Sequence, residues 1–174
     1  MRVFTDGACS SNGKKSARTG CGIYFENDGD NREYSHTLES AKRICGITEG
    51  MKHTNNTGEL LAILCALVLA AKAPAKCELT VYSDSMYCIN CITLWLKKWK
   101  AGDWKTAAGT PVKNKTLIQA IDAKKSEFKS VIFLYVPAHH QAPLDKTSEQ
   151  YRLWFGNDVA DKLATRAVAV DAAA

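Results

Sequence analysis

Short runs of β-branched and aromatic residues recur along the chain, and two of them end in the same way. Val3 and Phe4 lead through Thr5 into Asp6 and Gly7, and Leu79, Val81 and Tyr82 lead through Ser83 into Asp84. Such runs predict strands over residues 1–8 and 78–83, and two more follow over 20–27 and 32–38, with a turn at Gly29 and Asp30 between them. Residues 9–19, rich in Ser, Gly, Asn and Lys, read as a turn, and residues 39–54 show no clean period and read as irregular. A helix is predicted over 56–72, stopped by Pro74, and another over 85–99, where Met86, Ile89, Ile92 and Leu96 recur at helical spacing. A turn-rich excursion over 101–112, a helix over 114–128, an apolar strand over 131–136, a polar loop over 141–155 and a last helix over 157–170 complete the reading. Residues 170–174 are expected to fray.

The order β-β-β-α-β-α-α-β-α implies an α/β domain, a mixed five-stranded sheet with helices on both faces. The helix between the first and fourth strands makes a parallel β-α-β step, for which a right-handed crossover is expected. Parallel neighbours would bring Asp6 and Asp84 to one sheet edge, where open α/β sheets hold their sites. A chain of 174 residues without internal repeats is read as one domain, 1–174.

Composition narrows the setting. The seven cysteines are odd in number and scattered, which suits reduced thiols in an intracellular protein, cytoplasmic or nuclear, and no disulfide is expected. The longest uncharged apolar run, residues 60–71, is too short to span a membrane, and no signal peptide is visible. The formal charge of +5 is concentrated: between positions 97 and 115 lie six lysines and one acid, Asp103. A patch of this kind suits a polyanion docked in a defined place, on a basic protrusion of about residues 95–115.

Candidate chemistry rests on acids. Asp6 and Asp84 close strands, although a turn or helix-capping role accounts for Asp84 equally well. Glu59 heads an apolar helix, and Asn56-x-x-Glu59 also has the spacing of a capping box. In the last helix, Val159, Ala160, Leu163, Ala164, Ala167 and Val168 form one apolar arc at about 100° per residue. Asp161 lies on its flank while Asp158 points to solvent, so Asp161 is the better partner for the other acids. Four carboxylates suit a hard divalent cation, most naturally Mg²⁺, and two such ions can drive phosphodiester hydrolysis. Zn²⁺ at Cys88 and Cys91 is weak, because no second cysteine pair exists. His139 and His140 follow the fifth strand, where a proton-transfer role competes with plain solvation. Trp99 and Trp104, interleaved with Lys97, Lys98 and Lys100, read as platforms for sugars or bases, whereas Trp95 reads as core.

Taken together, seven blocks resemble a type-one ribonuclease H in family order: Phe4-Thr5-Asp6-Gly7, Thr54-Asn55-Asn56 with Glu59-Leu60, Ser83-Asp84-Ser85, Ile92-Thr93-x-Trp95 through Trp99, Trp104-Lys105-Thr106 to Lys113-Asn114, Val136-Pro137-Ala138-His139, and Gly156-Asn157-x-x-Ala160-Asp161. The resemblance implies a ribonuclease H-like fold. It also implies an endonuclease that cuts the RNA strand of RNA/DNA hybrids, leaving 5′-phosphate and 3′-hydroxyl ends, as a monomer using two Mg²⁺ ions with Mn²⁺ as a substitute. It assigns the metal to Asp6, Glu59, Asp84 and Asp161 and a mobile-histidine role to His139. Substrate contacts fall on Asn12, Asn55 and Asn56, on a phosphate pocket of Lys52, Thr54 and Asn114, and on the protrusion of Lys97, Lys98, Trp99, Lys100 and Trp104. Three departures stand out: Lys52 where some relatives carry arginine, a long 141–155 loop, and Gly58, expected to loosen Glu59. The initiating Met1 favours a stand-alone enzyme over the ribonuclease H domain of a reverse transcriptase. A hybrid-binding module without catalysis would lack an acid, and none is missing.

Overall fold

A computed structural model describes residues 1–27, 31–73, 77–138 and 140–173. Strands β1 (Arg2–Ser10), β2 (Arg18–Glu26), β3 (Arg32–Thr37), β4 (Glu78–Ser83) and β5 (Ser130–Tyr135) form one sheet in the order β3-β2-β1-β4-β5. The first three make an antiparallel meander, and β1, β4 and β5 run parallel. The turn predicted at Gly29 and Asp30 and the stop at Pro74 lie outside the described residues.

Alternation along β1 divides the core. Val3 joins Ile23, Phe25 and Val81 under α2 (Asn55–Ala70), whereas Phe4 joins Tyr24 and Tyr82 under α6 (Glu149–Ala172). Successive strand side chains point to opposite faces, so helices cover both sides of the sheet. Helix α2 is apolar almost all round, and residues 57–67 are all buried, as befits a central helix.

Four expectations need correction. Residues 39–54 contain a helix, α1 (Leu38–Cys45): Thr37 accepts from the Ser40 amide at 3.3 Å, and Gly46 ends it in the left-handed region at φ 68°. The helix predicted over 85–99 breaks into α3 (Met86–Ile92) and α4 (Leu96–Ala101), where the Thr93 hydroxyl donates to the Ile89 carbonyl at 2.6 Å. The 141–155 loop gives way to α6 at Glu149, started by Ser148, which accepts from the Tyr151 amide. At its far end α6 runs to Ala172, where Arg18 and Asp171 pair at 3.4 Å. The helix predicted over 114–128 is shorter, α5 (Lys115–Lys125), and the apolar β5 is an edge strand that leaves Ile132, Leu134 and Tyr135 exposed.

Candidate active site

Parallel register sets the first two acids. Thr5 pairs with Ser83, so Asp6 and Asp84 are the next residues at one end of adjacent strands. One position earlier, Phe4 and Tyr82 stack with ring centroids 4.7 Å apart, and a Cβ on Gly156 would run into the Phe4 ring. That close seat sets the height of α6 and hence of Asn157 and Asp161. Ser85, not Asp84, caps α3, accepting from the Cys88 amide at 3.3 Å. Asp84 is thereby released from the capping role.

The third acid arrives from the opposite face. Thr54 is the N-cap of α2 and accepts from the Thr57 amide at 3.1 Å, so the capping-box reading of Asn56 and Glu59 does not hold. Glu59 lies beyond the cap, inside the helix and buried. Gly58 does not loosen it: the Gly58 Cβ position lies 3.2 Å from Gly7 Cα, and a Cβ on Gly7 would overlap the Glu59 amide. Two facing glycines let helix and strand approach closely enough to deliver Glu59 beside Asp6.

One ligand oxygen from each of Asp6, Glu59 and Asp84 lies within 4.8 Å of the others. Burial, reinforced by the charges of Asp84 and Asp161, pushes the Asp6 carboxyl from 3.8 up to about 7, against the pull of the Gly7 amide. Burial and the neighbouring Asp6 and Asp84 raise Glu59 well above the carboxylate range. Glu59 Oε2 is buried without a hydrogen-bond partner, and no lysine or arginine pairs with Asp6 or Glu59 among the described residues. Three converging carboxylates, one of them with an orphaned buried oxygen, fit a hard divalent ion held by oxygen ligands.

Around this core the last helix contributes two further groups. Asp161 acts on Asp6 and Glu59 through its charge but lies outside the three-acid group. Asp158 points elsewhere and pairs with Lys162 at 2.6 Å. Asn157, to which sequence reasoning assigned no role, is buried and donates through Nδ2 to Asp84 Oδ2 at 3.3 Å. Its place between Gly156 and the apolar arc was the available signal.

A cavity of about 660 Å³ opens at the N-terminus of α2. Asn12, Lys52, Thr54, Asn55, Asn56 and Asn114 all line it, so the residues named for the minor groove, the RNA and the phosphate pocket meet in one place. Lys113 and Lys115 join them and were missed, having been counted only toward the basic patch. Asn114 precedes α5 at φ 57°, a left-handed conformation that asparagine tolerates.

The 97–104 part of the protrusion does not line that cavity, whereas its end at Lys113–Lys115 does. Lys97 and Lys100 line a separate groove with Lys125 and Ile132, and Lys100 is held by Asp122 at 2.8 Å. Lys98 is exposed, while Trp99 and Trp104 are half-buried against the main core beside Trp95. Trp104 also carries Lys115 Nζ over its ring at 5.7 Å. His139 lies outside the described residues, and His140 is exposed, its carbonyl accepting from Trp154 Nε1 at 2.9 Å. Burial pushes the Cys88 thiol up and lifts Cys91 to about 11, which disfavours the thiolates a zinc site needs. Among the described residues, no helix is long and apolar enough to cross a membrane.

Comparison with known proteins places the chain in a family. The chain is 39% identical over 164 residues to "Ribonuclease H" of Schizosaccharomyces pombe, covering 94% of this chain and 51% of that protein. It is 34% identical over 167 residues to "Ribonuclease H" of Francisella philomiragia, covering 96% and 90%. The chain spans about half the length of the mouse, rat and fission-yeast relatives it matches. The crystal structure of LC9-RNase H1, described as a type 1 RNase H with the type 2 active-site motif, superposes with a TM-score of 0.71 at 19% identity, covering 97% of this chain and 72% of that one, and so shares the fold. The family model described as RNase H matches residues 1–169, and with the 34% relative covered nearly end to end, this chain belongs to the RNase H family.

Proposed function

We propose that this chain hydrolyses the RNA strand of RNA/DNA hybrids, leaving 5′-phosphate and 3′-hydroxyl ends, and that it does so as a single-domain, intracellular monomer. The observation that carries the reading is the meeting of Asp6, Glu59 and Asp84 within 4.8 Å, with a buried, unpartnered Glu59 oxygen. Asp6, Glu59, Asp84 and Asp161 hold two Mg²⁺ ions, for which Mn²⁺ can substitute. When bound, the ions supply an activated water and charge neutralisation at the leaving oxygen of the phosphodiester.

The chain's own residues position the substrate. Lys52, Thr54 and Asn114 grip a phosphate of the DNA strand, Asn55 and Asn56 enter the minor groove, and Asn12 lies against the RNA, whose 2′-hydroxyls separate it from DNA. Lys113 and Lys115, lining the same cavity, add positive charge. Lys97, Lys98 and Lys100 extend the electrostatic footprint along the duplex, with Trp99 and Trp104 bracing that surface. His139 carries a proton to the leaving group or assists product release. A solved foamy viral protease-reverse transcriptase in complex with RNA/DNA hybrid shares the fold at a TM-score of 0.69, which is consistent with a hybrid as substrate.

An end-labelled hybrid, incubated with the chain and Mg²⁺, is expected to lose its RNA strand to fragments with 3′-hydroxyl ends. Single-stranded RNA, duplex RNA and duplex DNA should persist. Equal cutting of single-stranded RNA would overturn the specificity, and cutting undiminished by a chelator would overturn the metal requirement.

A further inference from the structure

Two thiols far apart in sequence meet behind the substrate-facing segment. Cys45, the last residue of α1, and Cys65, in the middle of α2, have their sulfurs 3.1 Å apart, closer than van der Waals contact. Cys65 is fully buried, its sulfur against Cys45 and 3.5 Å from the Ala41 carbonyl. Cys45 is half-buried, followed by the exposed turn at Gly46, and is the member of the pair that solvent can reach. The hydrogen bond with Cys45 and burial both hold the Cys65 thiol well above the usual thiol range. Cys21, the nearby third thiol, is fully buried and turned to the Gly58 carbonyl at 3.4 Å.

We propose that Cys45 and Cys65 are an oxidative modification site, joined reversibly as a disulfide when the chain meets a hydroperoxide. Cys45 sulfur attacks the peroxide oxygen, breaking the O–O bond, releasing an alcohol or water and leaving a sulfenic acid. Cys65 sulfur then attacks the Cys45 sulfur, the S–O bond breaks, and the departing hydroxide leaves as water with the Cys65 proton. Two thiols are oxidised by two electrons and one hydroperoxide is reduced. Bond formation draws the sulfurs together by about 1 Å, a movement that the end of a short helix can absorb.

The location gives the crosslink a consequence. It closes a loop over residues 46–64, which carries Lys52, Thr54, Asn55, Asn56 and Glu59. Residues 46–54 leave α1 without regular structure and reach the cavity, so the disulfide anchors their root to α2. Thiols in an intracellular protein that pair only under oxidant are sensors more often than structural staples.

The test uses the full chain, reduced, then treated with near-stoichiometric hydrogen peroxide. Five of the seven thiols should remain titratable, and intact mass should fall by two hydrogens. A peptide map should join Cys45 to Cys65, and a dithiol reductant should reverse all three changes. The melting temperature should rise by about 5–10 °C on oxidation. Cys45→Ser should abolish the rise and the mass loss, and Cys65→Ala should leave Cys45 as a sulfenic acid that a 1,3-diketone probe captures. Seven thiols retained, sulfinic acid at Cys45 in place of a crosslink, or a bridge mapped to other cysteines would each overturn the assignment. Mass and melting report the crosslink whether or not the chain cuts hybrids.

Discussion

Asn157 Nδ2 donates to Asp84 Oδ2 at 3.3 Å, while its own Oδ1 is buried without a partner, and this joins the first turns of α6 to the end of β4 beside the carboxylates. The bond fixes the orientation of Asp84 from the layer of residues behind it. Asn157→Ala should lower kcat/KM on a hybrid by about 10–100-fold. Metal titration separates this from a packing role: the midpoint for Mg²⁺ should move to higher concentration, and an unchanged midpoint would make Asn157 merely structural.

Asp84→Asn should remove activity while leaving the metal-free chain as stable as the parent or more so. Ser85 supplies the cap of α3, so the helix loses nothing, while Asp6 and Glu59 lose a like charge. Melting without metal decides the matter. A clear fall would return Asp84 to a structural role.

The pH dependence of metal-free stability follows from Asp6. Its carboxyl is raised from 3.8 in the unfolded chain to about 7 in the fold, mainly by burial and then by Asp84 and Asp161. Between those values the folded chain holds a proton that the unfolded chain has released, so this stabilisation is complete below about pH 4 and is lost as pH rises through about 7. Glu59, raised in the same direction, adds to the trend. Denaturant midpoints should therefore fall from about pH 5 to pH 8 without metal, and Mg²⁺ should restore stability at the upper end. A flat profile would contradict the raised carboxyls.

Gly7→Ala should destabilise the fold by about 3 kcal/mol, since the new methyl overlaps backbone of Glu59 and Gly58, which cannot rotate away. Gly58→Ala should cost less, because its methyl meets Thr19 Cγ2 at 2.9 Å and backbone atoms of Gly20 and Gly7 only at 3.2 Å, against 2.1 Å for the Gly7 variant, and gains helix propensity of about 1 kcal/mol. Urea midpoints of the two variants give the order directly.

Two lysine groups should differ in kind. Alanine at Lys52, Lys113 and Lys115 should weaken hybrid binding and reduce the salt slope by about one per lysine that meets a phosphate. Lys97 and Lys98 should behave similarly when the hybrid spans both surfaces, with Lys100 contributing less because Asp122 already neutralises it. An unchanged slope for the second group would confine the substrate to the cavity.

Two of the candidate acids were legible in the sequence because each closes a strand-like run of β-branched and aromatic residues. Strands that close on Asp6 and Asp84 announce themselves by composition, and helical phase separated Asp161 from Asp158, which the structure turns to Lys162. Helix α1 was hidden because its start signal is one threonine and its stop one glycine, too little against eight residues of mixed polarity. The start of α6 was hidden for a related reason: Tyr151, Trp154 and Phe155 form an aromatic cluster that gains its partner, Tyr24, only across the sheet.

The sequence by itself determined the succession of the five strands, the candidate acids and the location of positive charge, since these depend on residue type and near-neighbour spacing. Tertiary structure decided everything that depends on two distant segments touching. Only the fold could seat Gly58 against Gly7 and so bring Glu59 to Asp6, gather Asn12 and Asn114 around the same cavity, give Asn157 to Asp84, and lay Cys45 against Cys65. Close approach is a property of packed backbones, and no local pattern encodes the partner that will arrive from the other face of the sheet.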